Sequence, residues 1–144
     1  WLRSRWPGQL IIKGVMCVAD AAAAADCGAE AVVVSNHGGR QLDGVASPVS
    51  VLAAIAAAVG SCVEVLMDGG VRSGADVVKA LALGADGVLI GRPWVWALAA
   101  RGERGLANYL DTLRREIAVT MALMGVNRID AITGDLLERR GAIG

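Results

Sequence analysis

Four times along this chain a short run of apolar, largely β-branched residues gives way to an alanine-rich stretch of helical composition. LIIKGV (10–15) precedes VADAAAAADCGA (18–29), and AVVVSN (31–36) precedes PVSVLAAIAAAVG (48–60). VEVLMDGG (63–70) precedes SGADVVKALALGA (73–85), and DGVLIGR (86–92) precedes PWVWALAARG (93–102). Strands that are apolar throughout, rather than alternately, call for a parallel sheet covered by its crossover helices. Gly28 and Gly60 close the first two helices, and Ser47 followed by Pro48 opens the second as N-cap and first helical position. Beyond Gly102, a helix over 105–125 carries Leu106, Leu110, Leu113, Ile117 and Met121 at helical spacing. The last segment, 127–144, reads as a short helix with a frayed end.

Four βα units are half of the eight in a (β/α)₈ barrel. The predicted fold is therefore α/β: residues 1–144 as one domain, a TIM half-barrel with trailing helices. A doubly wound open sheet presents the same succession of strands and is the competing architecture. The opening, WLRSRWPGQ, has charges where a secretory signal needs an apolar run and no initiator methionine. It predicts a chain that starts part-way through a longer protein.

With 144 residues, 55% of them hydrophobic, and no net formal charge, the chain has the material for one sizeable core. A disordered tail and a nucleic-acid binder are excluded on that balance. No polybasic or acidic block points to a membrane surface or a polyanion as partner. The uncharged stretch 44–63 has the length of a membrane span, but Ser47, Pro48, Ser50, Gly60 and Ser61 interrupt it, so a buried helix is the better reading. Cys17, Cys27 and Cys62 lack metal-ligand spacing and read as reduced packing residues of a cytoplasmic protein; a nucleophilic cysteine is the alternative.

Ligands of parallel α/β folds bind at the C-terminal ends of the strands. Each of the four ends here carries a polar or charged group: Lys13, Ser35-Asn36-His37, Asp68-Gly69-Gly70, and Gly91-Arg92. DGGVRSG (68–74) and GRP (91–93) each open a helix with glycine and arginine. Glycines let backbone amides approach an anion, helix N-termini carry partial positive charge, and guanidinium matches phosphate. Two successive units of that kind, the last two of the chain, match the phosphate site after strands seven and eight of barrels.

His37 is the only histidine, and Arg40 shares its loop. An imidazole can take a substrate proton and an arginine can hold a carboxylate, so the pair defines a site for a small acid. Lys13 can neutralise developing negative charge from the neighbouring strand, or can simply extend from the rim into water. Trp94 and Trp96 read as core or interface packing, and Asp43 has no catalytic part.

The segments IIKG, SNHGGRQLDG, DGGVR and ALALGADGVLIGRP, in that order, resemble the FMN-dependent 2-hydroxy-acid dehydrogenase and oxidase family, which includes glycolate oxidase and the flavin-type lactate and mandelate dehydrogenases. SNHGGRQ is the discriminating piece, since other phosphate-binding barrels have segments similar to DGGVR and ALALGA. The resemblance implies the C-terminal half of an FMN-binding barrel that oxidises a 2-hydroxy acid to the 2-oxo acid. In that case His37 is the general base and Arg40 binds the substrate carboxylate. Lys13 and Ser35 lie at the flavin, and Asp68, Gly69, Gly70, Val71 and Arg72, with Gly91 and Arg92, hold the phosphate and ribityl chain. Ser73 stands where many relatives carry a second arginine. The partners implied are a small hydroxy acid and, for the complete protein, further copies of itself, a tetramer in the family. The remaining barrel would supply substrate-binding tyrosines, more flavin contacts and the carboxylate that orients the histidine, so this chain alone should be nearly inactive. The competing functions are a non-catalytic half-barrel that binds phosphate or flavin, and another phosphate-binding barrel enzyme of the IMP dehydrogenase or isopentenyl-diphosphate isomerase kind. Neither of those two chemistries requires the pair His37 and Arg40.

Overall fold

A computed structural model of the chain describes residues 1–138. The four βα units are present: β1 (Ile11–Val15), α2 (Val18–Asp26), β2 (Ala31–Val34), α3 (Pro48–Val59), β3 (Glu64–Met67), α4 (Gly74–Ala82), β4 (Gly87–Val88) and α5 (Arg92–Leu123), after a short α1 (Leu2–Arg5). All strand pairs are parallel and the sheet order is β1-β2-β3-β4. A doubly wound sheet reverses direction where its strand order switches. This one runs on without reversal, as a barrel wall does.

The registers bring Lys13 opposite Val33, Val33 opposite Leu66, and Met67 opposite Val88, which aligns the C-terminal strand ends on one rim. Behind the sheet, Val32, Val34 and Val65 pack with Leu52 and Ile55 of α3 and Ala21 of α2, all with essentially no exposure. Small alanines on α2 let it lie close to its neighbours, which is what the alanine-rich sequence is for. Full burial on both faces holds only for β2; in β3, Val65 and Met67 are buried but Glu64 is exposed. Helices cover one face of the sheet more completely than the other.

Local signals decide most boundaries. Gly28, at φ 81°, ends α2. Ser47 occupies the N-cap position of α3, yet its side chain makes no capping bond, and Pro48 alone marks the start. The two helices expected over 93–102 and 105–125 are present as the two parts of α5, which meet at a kink at Arg101 and Gly102, where the backbone leaves helical values. Ile117 and Met121 face inward as expected, whereas Leu110 is exposed. The tail forms two 3₁₀ turns, Ile129–Ala131 and Gly134–Leu136, in place of a short helix; the frayed end expected at 139–144 lies outside the described residues.

The three cysteines are free thiols as expected, but all are exposed, so the packing role read from the sequence is corrected. Cys17 caps α2, its sulfur accepting the Asp20 amide at 3.4 Å, and Cys27 sits at the other end of that helix. Trp94 and Trp96 are 38% and 62% exposed, so neither is core. α1 had no sequence signal. It is held by Arg3, which donates to the Gly28 carbonyl at 3.1 Å and pairs with Glu30 at 2.9 Å.

Candidate functional site

Three adjacent strand ends are tied together by the Lys13 ammonium, which reaches Asp68 and the buried Ser35, 1% exposed. Ser35 Oγ accepts from the Lys13 ammonium at 2.6 Å and from the backbone N–H of His37 at 3.1 Å. Lys13 also pairs with Asp68 Oδ2 at the end of β3. The other oxygen, Asp68 Oδ1, is buried and has no hydrogen-bond partner. A buried acceptor of that kind is poised for a donor from outside the protein.

After β2 the chain turns through a 3₁₀ segment, His37–Gly39. His37, at φ 57°, is the one non-glycine with left-handed backbone among the described residues. Its imidazole and the Arg40 guanidinium are both on exposed residues of this loop. Gly38 lies close to the next cation, since a Cβ there would be 3.7 Å from Arg92 Nη2.

These loops enclose a cleft of about 570 Å³. Its walls include Lys13, His37, Arg40, Asp68, Gly69, Gly70, Val71, Arg72, Gly91 and Arg92. Of the residues given a catalytic or binding part from sequence only Ser35 is absent from the wall, standing behind it as a support. Gln41, Leu89, Ile90, Pro93 and Trp96 also line the cleft and were not singled out as site residues. Only their place beside the motifs could have marked them. Arg40, Arg72 and Arg92 form no ion pair among the described residues. Three unpaired guanidiniums around one glycine-walled cleft make an anion site.

The two helix N-termini at the cleft are not equivalent. That of α4 is already occupied: Ser73 and Asp76 form a reciprocal capping box, and the Gly74 amide donates to Glu116 Oε2 of α5 at 2.7 Å. α5 starts at Gly91 with no side-chain cap. Its first turn and the Gly69–Gly70 backbone are therefore the better receptors for an external anion. Ser73, in place of a second arginine, spends its hydroxyl on the helix.

Burial disfavours the charged form of Asp76, but the amides of Arg72 and Ser73 and the Ser73 hydroxyl outweigh it and hold the carboxyl below its ordinary value of 3.8. A depressed folded-state value means stability that is complete above pH 3.8 and lost as pH falls through the lower folded value. Asp76→Asn should lower the thermal midpoint near neutrality and flatten its decline in that acid window, as calorimetry at stepped pH would show. An unchanged acid slope would remove Asp76 from the cap.

A family model described as FMN-dependent dehydrogenase matches residues 1–139. The chain belongs to the FMN-dependent dehydrogenase family. Among its relatives, the L-lactate dehydrogenase of Caulobacter sp. (strain K31) is 58% identical over 139 residues, covering 96% of this chain and 37% of the relative. That of Caulobacter vibrioides (strain NA1000 / CB15N) is 59% identical over 140 residues, again covering 37% of the relative. The crystal structure of mandelate oxidase with (S)-4-hydroxymandelic acid superposes with a TM-score of 0.88 at 48% identity, covering 91% of this chain and 37% of that one. The same enzyme with benzoyl-formic acid matches equally well. The chain thus spans less than two-fifths of the length of these FMN-dependent dehydrogenase relatives. Its four-stranded sheet is part of a TIM barrel.

Proposed function

We propose that residues 1–144 are one domain, the C-terminal half of a barrel that oxidises a 2-hydroxy acid to the 2-oxo acid with FMN as cofactor. The observation that carries this reading is the cleft itself: one imidazole and three unpaired guanidiniums, walled by glycine, in a chain of an FMN-dependent family. The residues present suit FMN. A Cβ at Gly70 or Gly91 would meet no atom within 4 Å, so the backbone there is open to a phosphate, and Arg72 and Arg92 supply its countercharge. Asp68 Oδ1, buried without a partner, fits a hydroxyl donor such as a ribityl group.

When bound, FMN supplies a two-electron acceptor. Arg40 holds the substrate carboxylate bidentately and so fixes which face of the α-carbon is presented. His37 takes the proton released as the hydroxy acid becomes the oxo acid. Lys13, kept in place by Ser35 and Asp68, stabilises negative charge that develops on the cofactor side. Support comes also from mandelate oxidase, solved with both a 2-hydroxy acid and a 2-oxo acid.

The proposed partner is a small hydroxy acid of the lactate, mandelate or glycolate class, with the complete protein a cytoplasmic homo-oligomer. Among the described residues no helix is long and apolar enough to cross a membrane. The test is to join this chain to the first part of a related enzyme and mix the purified product anaerobically with L-lactate, L-mandelate or glycolate. One of the three should bleach the flavin's visible absorbance. Bound flavin that none of them bleaches would leave a cofactor-binding module instead.

A further inference from the structure

Three consecutive residues, His37, Gly38 and Gly39, have left-handed backbone at φ 57°, 66° and 74°. Glycine tolerates that region, but a residue with a Cβ does not adopt it unless its surroundings impose it. The question is what imposes it on His37. No strand partner is available here, because the ladder with β3 ends at Val34.

The bonds that hold the turn converge on Asn36. Its Oδ1 accepts the Gly38 amide at 3.0 Å and its own carbonyl accepts the Gly39 amide at 3.0 Å. Its Nδ2 donates to the carbonyl of Ala46 at 3.3 Å, ten residues on and just before α3. One carboxamide thus joins the start of the loop to its end. It is also held from behind: a Cβ on Gly69 would lie 3.4 Å from Asn36 Oδ1 and 3.1 Å from Pro48 Cγ. Asn36 is half-buried and does not line the cleft, so it has no direct path to a substrate.

We infer that Asn36 is the positioning residue for His37, fixing the left-handed turn that aims the imidazole into the cleft. This rests on the proposed role of His37 as base. The turn at Gly38 uses the acceptor oxygen and the tie to Ala46 uses the donor nitrogen; asparagine supplies both on one short side chain, and aspartate supplies the first alone. Ser35 cannot substitute, because its hydroxyl is already engaged by Lys13 and by the His37 amide.

The experiment uses the 144-residue chain and needs no turnover. Hydrogen–deuterium exchange is read by mass spectrometry in the peptide covering 35–47. The reaction rate of the sole histidine with diethyl pyrocarbonate is the second readout. Asn36→Ala removes both side-chain hydrogen bonds and should speed exchange in that peptide by about 25-fold, roughly fivefold for each. It should also shift the His37 rate toward that of free imidazole, with β2 and α3 peptides unchanged. Asn36→Asp keeps the acceptor for Gly38 and should restore the His37 rate, while the Ala46 side of the loop stays fast. The inference is overturned if Asn36→Ala leaves both readouts alone, or if Asn36→Asp behaves as Asn36→Ala does. It is overturned too if faster exchange spreads into β2 and α3, for then Asn36 holds the fold rather than the histidine. Failure here would leave the flavin-reduction test of His37 untouched.

Discussion

In the joined, FMN-loaded barrel, His37→Ala should slow flavin reduction by hydroxy acid about 10²- to 10⁴-fold, a loss of roughly 3–5 kcal/mol of transition-state stabilisation. The size follows from the chemistry. Forming the oxo acid releases the hydroxyl proton, and His37 is the only imidazole in this chain. The cations around it, Lys13, Arg40, Arg72 and Arg92, can hold anions but are poor proton acceptors near neutrality. Flavin content should be unchanged, since Arg72, Arg92 and the glycine backbone remain. His37→Gln should be as slow as the alanine variant, because an amide fills the space without taking a proton. Arg40→Lys should behave differently, raising KM more than it lowers kcat, as one ammonium replaces a two-pronged clamp. Rapid-mixing absorbance separates these outcomes. A His37→Ala variant that bleaches flavin at the parent rate would place the base outside this chain.

The lining of the cleft is legible because the residues that form it are contiguous in sequence. SNHGGRQ, DGGVR and IGRP each bring a whole loop to the rim, and the parallel sheet then aligns the loops on one edge. The βα units and most helix spans follow from apolar runs, glycines and one proline; the strand order does not, since a doubly wound sheet presents the same succession. What escaped was set by contacts distant in sequence. Glu116 meets the Gly74 amide across 42 residues, and nothing local marks it as part of the α4 cap. Asn36 lies inside the discriminating motif, yet its partner at Ala46 emerges only once the loop closes. Trp96 reads as core or interface packing because tryptophan is large and apolar; it is not core, and at the start of α5 it borders the cleft. Cys17 departs from a packing role for a similar reason, since its small thiol serves as a helix cap.

Gly74→Ala should be severely damaging to the scaffold. A Cβ at that position would stand 2.3 Å from the backbone N of Ile117 and 2.5 Å from Glu116. Those are main-chain atoms in the middle of a helix, so no side-chain rotation relieves the overlap; α4 and α5 must move apart. Overpacking of this kind costs about 3 kcal/mol, which lowers the melting temperature of a chain this size by roughly 10 °C. Separation also breaks the Gly74 to Glu116 bond and strips cover from Val78 and Ile117, which pack with Ile132. The damage should extend to the site, because Arg72 stands two residues before Gly74 and its amide is held by Asp76. Gly134→Ala is the matched control: its Cβ would meet only the Ala82 carbonyl at 3.4 Å, an ordinary contact, and stability should change by less than about 0.5 kcal/mol. Thermal unfolding of the two variants side by side decides the matter. Equal midpoints would mean that α5 does not lie against the start of α4, and the account of why Ser73 and Glu116 close that helix end to anions would fall with it.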